Sequence, residues 1–101
     1  MFTVYKSDDF ADWLTALNAS KAKAVIIARI RRLELGNLGD WKSVGDGIAE
    51  MRIDHGPGYR LYFFKDGKTV YVLLCGGQKK TQKRDIGRAK VLVKKWKAQN
   101  S

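Results

Sequence analysis

The sequence predicts an α+β domain with the element order β-α-α-β-β-β-α. We expect one mostly antiparallel four-stranded sheet, an N-terminal helical hairpin and a basic C-terminal helix. Apolar residues recur at helical spacing in the first third of the 101-residue chain and again near its end, and they alternate with polar residues between turn signals in the middle. This order favours helices packed on an antiparallel sheet. The length suits one domain, which we expect to span residues 1–101.

The N-terminal third is predicted to contain one strand and two helices. Phe2–Tyr5 alternates between apolar and polar side chains, which indicates a short strand. Ser7 is suited to cap a first helix, and Ser20 is suited to cap a second helix that ends at Gly36. The predicted buried faces of the two helices hold Phe10, Trp13, Leu14 and Leu17, and then Val25, Ile26, Ile30 and Leu33. A tight connection between the helices predicts an αα-hairpin.

Residues 36–47 are rich in glycine and are predicted to form a loop anchored by Leu38, Trp41 and Val44. Turn signals at residues 55–58 and 66–67 then separate three predicted strands. These strands are Ile48–Ile53, Tyr59–Lys65 and Thr69–Cys75. A basic helix is predicted from Thr81 to Ala98, and periodicity alone does not say where the first strand pairs.

The charge of the chain indicates an anionic partner. Twenty Lys and Arg residues oppose ten Asp and Glu residues, which gives a formal net charge of +10. Such an excess on a small domain is typical of contact with nucleic acid, an anionic membrane or an acidic protein. No apolar run approaches the roughly 20 residues of a membrane helix, and the single cysteine, Cys75, excludes an intrachain disulfide. We therefore expect a cytoplasmic protein that does not enter a membrane.

Strand alternation groups several polar side chains on one face of the predicted sheet. Glu50, Arg52 and Asp54 share a face of one strand, and Arg60 and Tyr62 share a face of the next. If the apolar faces meet the helices, this polar set lies on an open face. Two guanidiniums suit an RNA phosphate, and a tyrosine suits stacking on an RNA base. A solvated face with an ion pair between Glu50 and Arg60 explains the same pattern equally well.

The segment after the last strand combines glycines with basic residues. Gly76 and Gly77 precede the run Lys79–Arg84, which opens the final helix. Glycines let backbone amides approach an anion, and a helix N-terminus favours negative charge, so we expect this segment to contact an anion. His55, the only histidine, is more simply explained as a turn residue, and without a second His or a Cys pair we expect no metal site.

Two motifs resemble the RelE/ParE toxin superfamily, and most closely its HigB-like "addiction module killer protein" branch. They are residues 56–63, which include the sequence Gly-Tyr-Arg, and residues 73–86, which include Gly-Gly-Gln-Lys-Lys-Thr-Gln-Lys-Arg-Asp. The resemblance implies the toxin of a type II toxin-antitoxin system with a RelE-like fold. Its partners would be a cognate antitoxin, often a helix-turn-helix protein, and mRNA on the ribosome. Many relatives cleave mRNA in the ribosomal A site, whereas ParE-type relatives inhibit DNA gyrase.

The resemblance also implies which residues form the site. The strand arginine of the family falls on Arg60, with Arg52 beside it, and the basic C-terminal segment falls on residues 79–84. The expected catalytic residues of a metal-independent endoribonuclease are Arg60, Arg52, Lys79 and Arg84, and the expected RNA-binding residues are Tyr62, Lys80, Gln82 and Lys83. No small-molecule cofactor is expected. The chain lacks the C-terminal histidines of some HigB proteins and the C-terminal tyrosine of RelE, so the general acid and base stay open. A gyrase inhibitor and a non-catalytic module that binds nucleic acid or an acidic partner are the alternatives.

Overall fold

The computed structural model describes residues 1–100 and places a five-stranded mixed sheet between two layers of helices. In chain order the elements are β1 (Thr3–Lys6), α1 (Asp8–Ala16), α2 (Ser20–Glu34), β2 (Trp41–Gly45), β3 (Ile48–Ile53), β4 (Tyr59–Asp66), β5 (Val70–Gln78), a 3-10 turn (Lys79–Thr81) and α3 (Gln82–Gln99). The strand order in the sheet is β1-β5-β4-β3-β2. The predicted four-stranded sheet was wrong by one strand, and the α+β class was right.

The first strand lies at one edge of the sheet and pairs parallel to β5, from Thr3 opposite Val70 to Lys6 opposite Leu73. The other three pairings are antiparallel. Directly after β1, the Ser7 hydroxyl accepts the Phe10 N–H at 3.0 Å, which confirms the predicted N-cap of α1. The same hydroxyl donates to the Leu74 carbonyl at 2.6 Å and so attaches the start of α1 to β5.

The strand that the sequence prediction missed is β2, at the opposite edge. It lies inside the segment predicted as a loop, and its Trp41 is 47% exposed rather than an anchor. Leu38 and Val44 are partly buried against the core, as predicted. An edge strand is held by backbone hydrogen bonds on one side only, and most β2 side chains face solvent. Apolar alternation therefore does not mark it.

Helices cover both faces of the sheet, which produces two apolar cores. The core beneath α1 and α2 includes Phe10, Ile26, Leu33, Met51, Leu61, Phe63 and Leu73. The core beneath α3 includes Ile48, Tyr62, Phe64, Val72, Leu74, Ala89 and Val93. The prediction of an open sheet face was therefore wrong for Glu50 and Tyr62, which are both fully buried. No helix within residues 1–100 is both long enough and apolar enough to cross a membrane.

The last strand continues three residues beyond the predicted end at Cys75 and runs through both glycines. A side chain at Gly76 would meet the Trp13 ring, and one at Gly77 would meet the Asp85 carboxylate. The glycines thus allow α1 and α3 to approach β5 closely, and they lie within the strand instead of after it as predicted. The contact of this segment with an anion stays a prediction. The final helix begins at Gln82, one residue after the predicted start.

Candidate nucleic-acid interface

Arg52 and Arg60 lie side by side because of the register between β3 and β4. They are directly opposed in the antiparallel ladder, with Gly77 of β5 opposite Arg60. The next row of the same face contains Glu50, Tyr62 and Cys75, which are buried beneath α3. At the Gly77 end of the arginine row Asp85 of α3 covers the sheet, whereas the Arg52 side chain at the other end is partly exposed. The two guanidiniums therefore meet at the end of the sheet, where the predicted adjacency is confirmed.

A buried carboxylate, Glu50, organises this end of the sheet. Its oxygens accept hydrogen bonds from Gln82 Nε2 at 2.7 Å, from the Tyr62 hydroxyl at 3.0 Å and from Arg52 Nε at 3.3 Å. Arg60 Nε lies 4.0 Å from the same carboxylate oxygen that accepts from Arg52. A single negative charge is thus shared by two arginines, so the cluster keeps a net positive charge and a defined geometry.

The environment of Glu50 also decides the state of Tyr62. Burial, and then the Glu50 charge and hydrogen bond, raise the pKa of Tyr62 well above its usual range. The phenol stays protonated and donates to Glu50. Because Tyr62 is fully buried, its predicted stacking on an RNA base was wrong.

Arg60 is the most enclosed cation of the cluster, with a side chain only 11% exposed. Its Nη1 donates to the Tyr59 carbonyl at 3.1 Å, whereas its buried Nε has no hydrogen-bond partner within residues 1–100. The acceptor that faces this Nε is the Glu50 carboxylate, 4.0 Å away, so the ion pair with Glu50 and the bond to the Tyr59 carbonyl hold the guanidinium in place.

The space beside Arg60 is an open pocket of about 260 Å³. It is lined by Asp40, Arg52, Asp54, Gly58, Arg60 and Lys79. Lys79 reaches the pocket because its backbone N–H donates to the Gly58 carbonyl at 2.7 Å, which joins the start of the 3-10 turn to the turn after β3. Gly58 has a φ of +78°, and a side chain there would contact Lys79 Cβ at 3.4 Å and Arg60 Nη1 at 3.5 Å. Three cations therefore converge on one small volume.

The other predicted site residues do not line this pocket. Lys80 and Lys83 are exposed, and Arg84 is 77% exposed and pairs with the Asp85 carboxylate at 3.3 Å. Gln82 holds Glu50 instead of facing a ligand. Only Arg52, Arg60 and Lys79 of the predicted set are brought together, and the exposed Lys80 and Lys83 follow Lys79 in the chain.

Sequence reasoning missed four contributors to this region. Asp54 shared a predicted face with Arg52, which was a usable signal, whereas Asp40 was assigned to a loop. Gly58 was read only as a turn residue. Arg29 of α2 had no distinguishing signal, although its Nη1 donates to the Arg52 carbonyl at 3.0 Å from the other side of the sheet. Burial, and then Arg32, lower the pKa of Arg29, whereas Asp40 raises it.

Cys75 and His55 lie outside the pocket lining. Burial raises the pKa of the Cys75 thiol to about 12, so the thiol is neutral and packed. His55 lies in the turn before Gly58, whose backbone N–H donates to the His55 carbonyl at 3.0 Å. Within residues 1–100, no group of three His, Cys, Asp or Glu side chains is arranged to hold a metal ion.

Comparison with known proteins places the chain in a family. Residues 12–94 match the family described as "Phage derived protein Gp49-like (DUF891)". A Haemophilus influenzae protein described as "Uncharacterized protein" is 54% identical over 84 residues, which cover 83% of this chain and 85% of that protein. The family match begins within α1, ends within α3 and includes every residue that lines the pocket. The chain therefore belongs to the Gp49-like family of phage-derived proteins, a toxin-like family related to RelE- and HigB-type toxins.

Proposed function

We propose that the protein is the toxin of a type II toxin-antitoxin system and that it cleaves mRNA on the ribosome without a metal ion. The observation that carries this proposal is the pocket in which Arg52, Arg60 and Lys79 converge, with both arginines paired to the buried Glu50. The relation of the family to RelE- and HigB-type toxins supports the toxin role. The resemblance of residues 56–63 and 73–86 of this chain to the HigB-like branch supports mRNA as the substrate.

The pocket suits stabilisation of a phosphoryl transition state. A ribose 2′-hydroxyl attacks the adjacent phosphorus, and the phosphate gains negative charge as the new bond forms. Arg52 and Arg60 donate to its oxygens, and Lys79 adds a third positive charge. Glu50 holds both guanidiniums before substrate arrives, so they need not reorganise during the reaction.

The exposed basic residues outside the pocket bind the rest of the RNA. Lys80, Lys83 and Arg84 lie on the 3-10 turn and the first turn of α3, directly after Lys79. Contacts of this kind go to backbone phosphates, weaken as salt rises and carry little sequence information. The net charge of +10 also suits association with ribosomal RNA and with an acidic antitoxin in the cytoplasm.

A test compares the wild-type protein with two arginine variants, Arg60→Ala and Arg31→Ala. Each is induced in cells, and mRNA ends are mapped by primer extension. Arg31 is an exposed residue of α2, so its substitution removes the same charge from a remote surface. We expect wild type and Arg31→Ala to cut mRNA equally. The cutting rate of Arg60→Ala should be lower by about 100-fold or more, which is the effect of removing one transition-state donor.

Three results would contradict the proposal. Equal cutting by wild type and Arg60→Ala would remove Arg60 from the mechanism. If the purified protein inhibited supercoiling by DNA gyrase and no mRNA were cut, the ParE-type alternative would replace the endoribonuclease. Growth arrest that persists in an Arg52→Ala, Arg60→Ala double variant would favour a non-catalytic binding module.

A further inference from the structure

The anion pocket contains two carboxylates as well as three cations. Asp40 and Asp54 line it together with Arg52, Arg60 and Lys79. A carboxylate repels a phosphate, so a pocket that held only a phosphate would gain nothing from either acid. A ribose hydroxyl, in contrast, donates a hydrogen bond readily to a carboxylate. The mixed lining therefore fits a nucleotide unit with both a phosphate and a free sugar hydroxyl.

The two carboxylates differ in their surroundings. The Asp40 charge acts on Arg29 and raises the pKa of that guanidinium, and the Asp40 backbone carbonyl accepts the Arg52 N–H at 2.8 Å. The Asp54 side chain has no hydrogen bond or ion pair with any residue of 1–100. Asp54 follows the last residue of β3, two positions after Arg52, and it lines the same pocket. Asp54 is thus the acceptor that is free to meet a ligand.

We propose that Asp54 binds the ribose 2′-hydroxyl beside the scissile phosphate and accepts its proton, so that the pocket selects RNA over DNA. This inference rests on the proposed function and gives it a general base. Proton acceptance by a positioned side chain typically contributes about 10²- to 10⁴-fold to a rate.

The reaction balances with the groups that line the pocket. The proton moves from O2′ to an Asp54 carboxylate oxygen while the bond between O2′ and phosphorus forms. The bond between phosphorus and O5′ breaks, and the Lys79 ammonium gives a proton to the leaving O5′. The products are a 2′,3′-cyclic phosphate and a 5′-hydroxyl. Water then carries the proton from Asp54 back to Lys79, which restores both residues.

The test uses three purified variants, Asp54→Ala, Asp54→Asn and Asp40→Ala, beside the wild type. Single-turnover cleavage is measured on ribosomes programmed with a defined mRNA. Affinity is measured separately for an RNA oligonucleotide and a DNA oligonucleotide of the same sequence. A ribosome-dependent enzyme does not cleave free RNA, so binding can be measured without cleavage. Asp54 is exposed and its side chain makes no hydrogen bond or ion pair within residues 1–100, so its variants are expected to unfold at the wild-type temperature. Asp40→Ala is the matched control because it removes the same charge from the same pocket.

The variants are expected to separate recognition from proton transfer. Asp54→Ala should cleave more slowly by about 100-fold or more, because the proton acceptor is lost. Its preference for RNA over DNA should fall about tenfold, because a hydrogen bond to a charged group is lost. Asp54→Asn keeps an acceptor oxygen, so it should retain the preference and lose the rate. Asp40→Ala removes one negative charge from the same pocket but leaves the proposed base in place. Its rate should therefore exceed that of Asp54→Ala by about tenfold or more.

The outcomes distinguish this inference from the proposed function. If wild type cleaves and Asp54→Ala matches it in rate and in RNA preference, the role of Asp54 is overturned and the endoribonuclease stands. Equal losses in Asp54→Ala and Asp40→Ala would also overturn it, because they would indicate a general effect of pocket charge. If wild type cleaves no mRNA, the proposed function fails, and the binding series alone then decides whether Asp54 recognises ribose.

Discussion

The substitution Glu50→Gln tests the central contact of the structure. Glu50 is fully buried and accepts hydrogen bonds from Gln82, Tyr62 and Arg52. Glutamine has nearly the same shape, but it is neutral and offers one acceptor oxygen instead of two. The NH2 group of the glutamine is a donor, and it would face other donors where a carboxylate oxygen of Glu50 now accepts. The enclosed Arg60 would also lose the carboxylate with which it pairs.

The expected loss of stability follows from these contacts. Replacing a charged acceptor by a neutral one weakens each of the three hydrogen bonds by about 1 kcal/mol. Removing one partner of a buried ion pair costs about 3–5 kcal/mol, and Arg52 is 36% exposed, so water replaces part of what it loses. We therefore expect the free energy of unfolding to fall by about 3 kcal/mol. For a domain of this size, that loss lowers the melting temperature by roughly 15 °C.

Urea and thermal unfolding followed by circular dichroism would measure this change. The control is Glu34→Gln, the same substitution at a partly exposed residue at the end of α2, and we expect it to change stability by less than about 0.5 kcal/mol. If Glu50→Gln were no more destabilising than Glu34→Gln, Glu50 would not organise the arginine pair. The preorganisation of the pocket would then need another cause.

Two further predictions concern packing and pH. Gly77→Ala should lower the free energy of unfolding by about 2 kcal/mol or more, because its methyl group would collide with the Asp85 carboxylate. Gly87→Ala in α3 has open space for its methyl group and should raise the free energy of unfolding by up to about 1 kcal/mol. Reversal of this order in urea unfolding would contradict the packing of α3 on β5. Burial raises the pKa of Cys75 from 9.0 to about 12, so the stability that this thiol contributes is complete below pH 9 and is lost as pH rises toward 12. Between pH 9 and pH 10 in reductant, wild type should therefore lose about 1 kcal/mol more than Cys75→Ala, and parallel pH curves would show that the thiol ionises freely in the fold.

Several features of the fold were predictable because they depend on near neighbours in the chain. The cap formed by Ser7 and the β4–β5 turn at Asp66 and Gly67 follow from local backbone geometry, and Gly67 has the positive φ of +77° that such a turn requires. The adjacency of Arg52 and Arg60 was also predictable. A short turn joins their strands and alternation places both on one face, so little freedom of register remains.

The buried state of Glu50 was not predictable in this way. Alternation correctly placed it on the face of Arg52 and Tyr62, but alternation does not say what covers that face. The same is true of Gly76 and Gly77, whose sequence suits an anion-binding loop as well as a strand under close packing. Only the packing of α1 and α3, which brings Trp13 against Gly76 and Asp85 against Gly77, distinguishes the two.

The sequence by itself determined the helices, the central strands, the positive charge and the pair of arginines, because these depend on composition and on contacts between neighbouring elements. The tertiary structure decided the parallel pairing of β1 with β5, the place of α3 over the second face, and the pocket. That pocket combines residues from the segment before β2, the end of β3, the start of β4 and the turn before α3. Its membership depends on how distant segments pack, and periodicity within each segment does not contain that information.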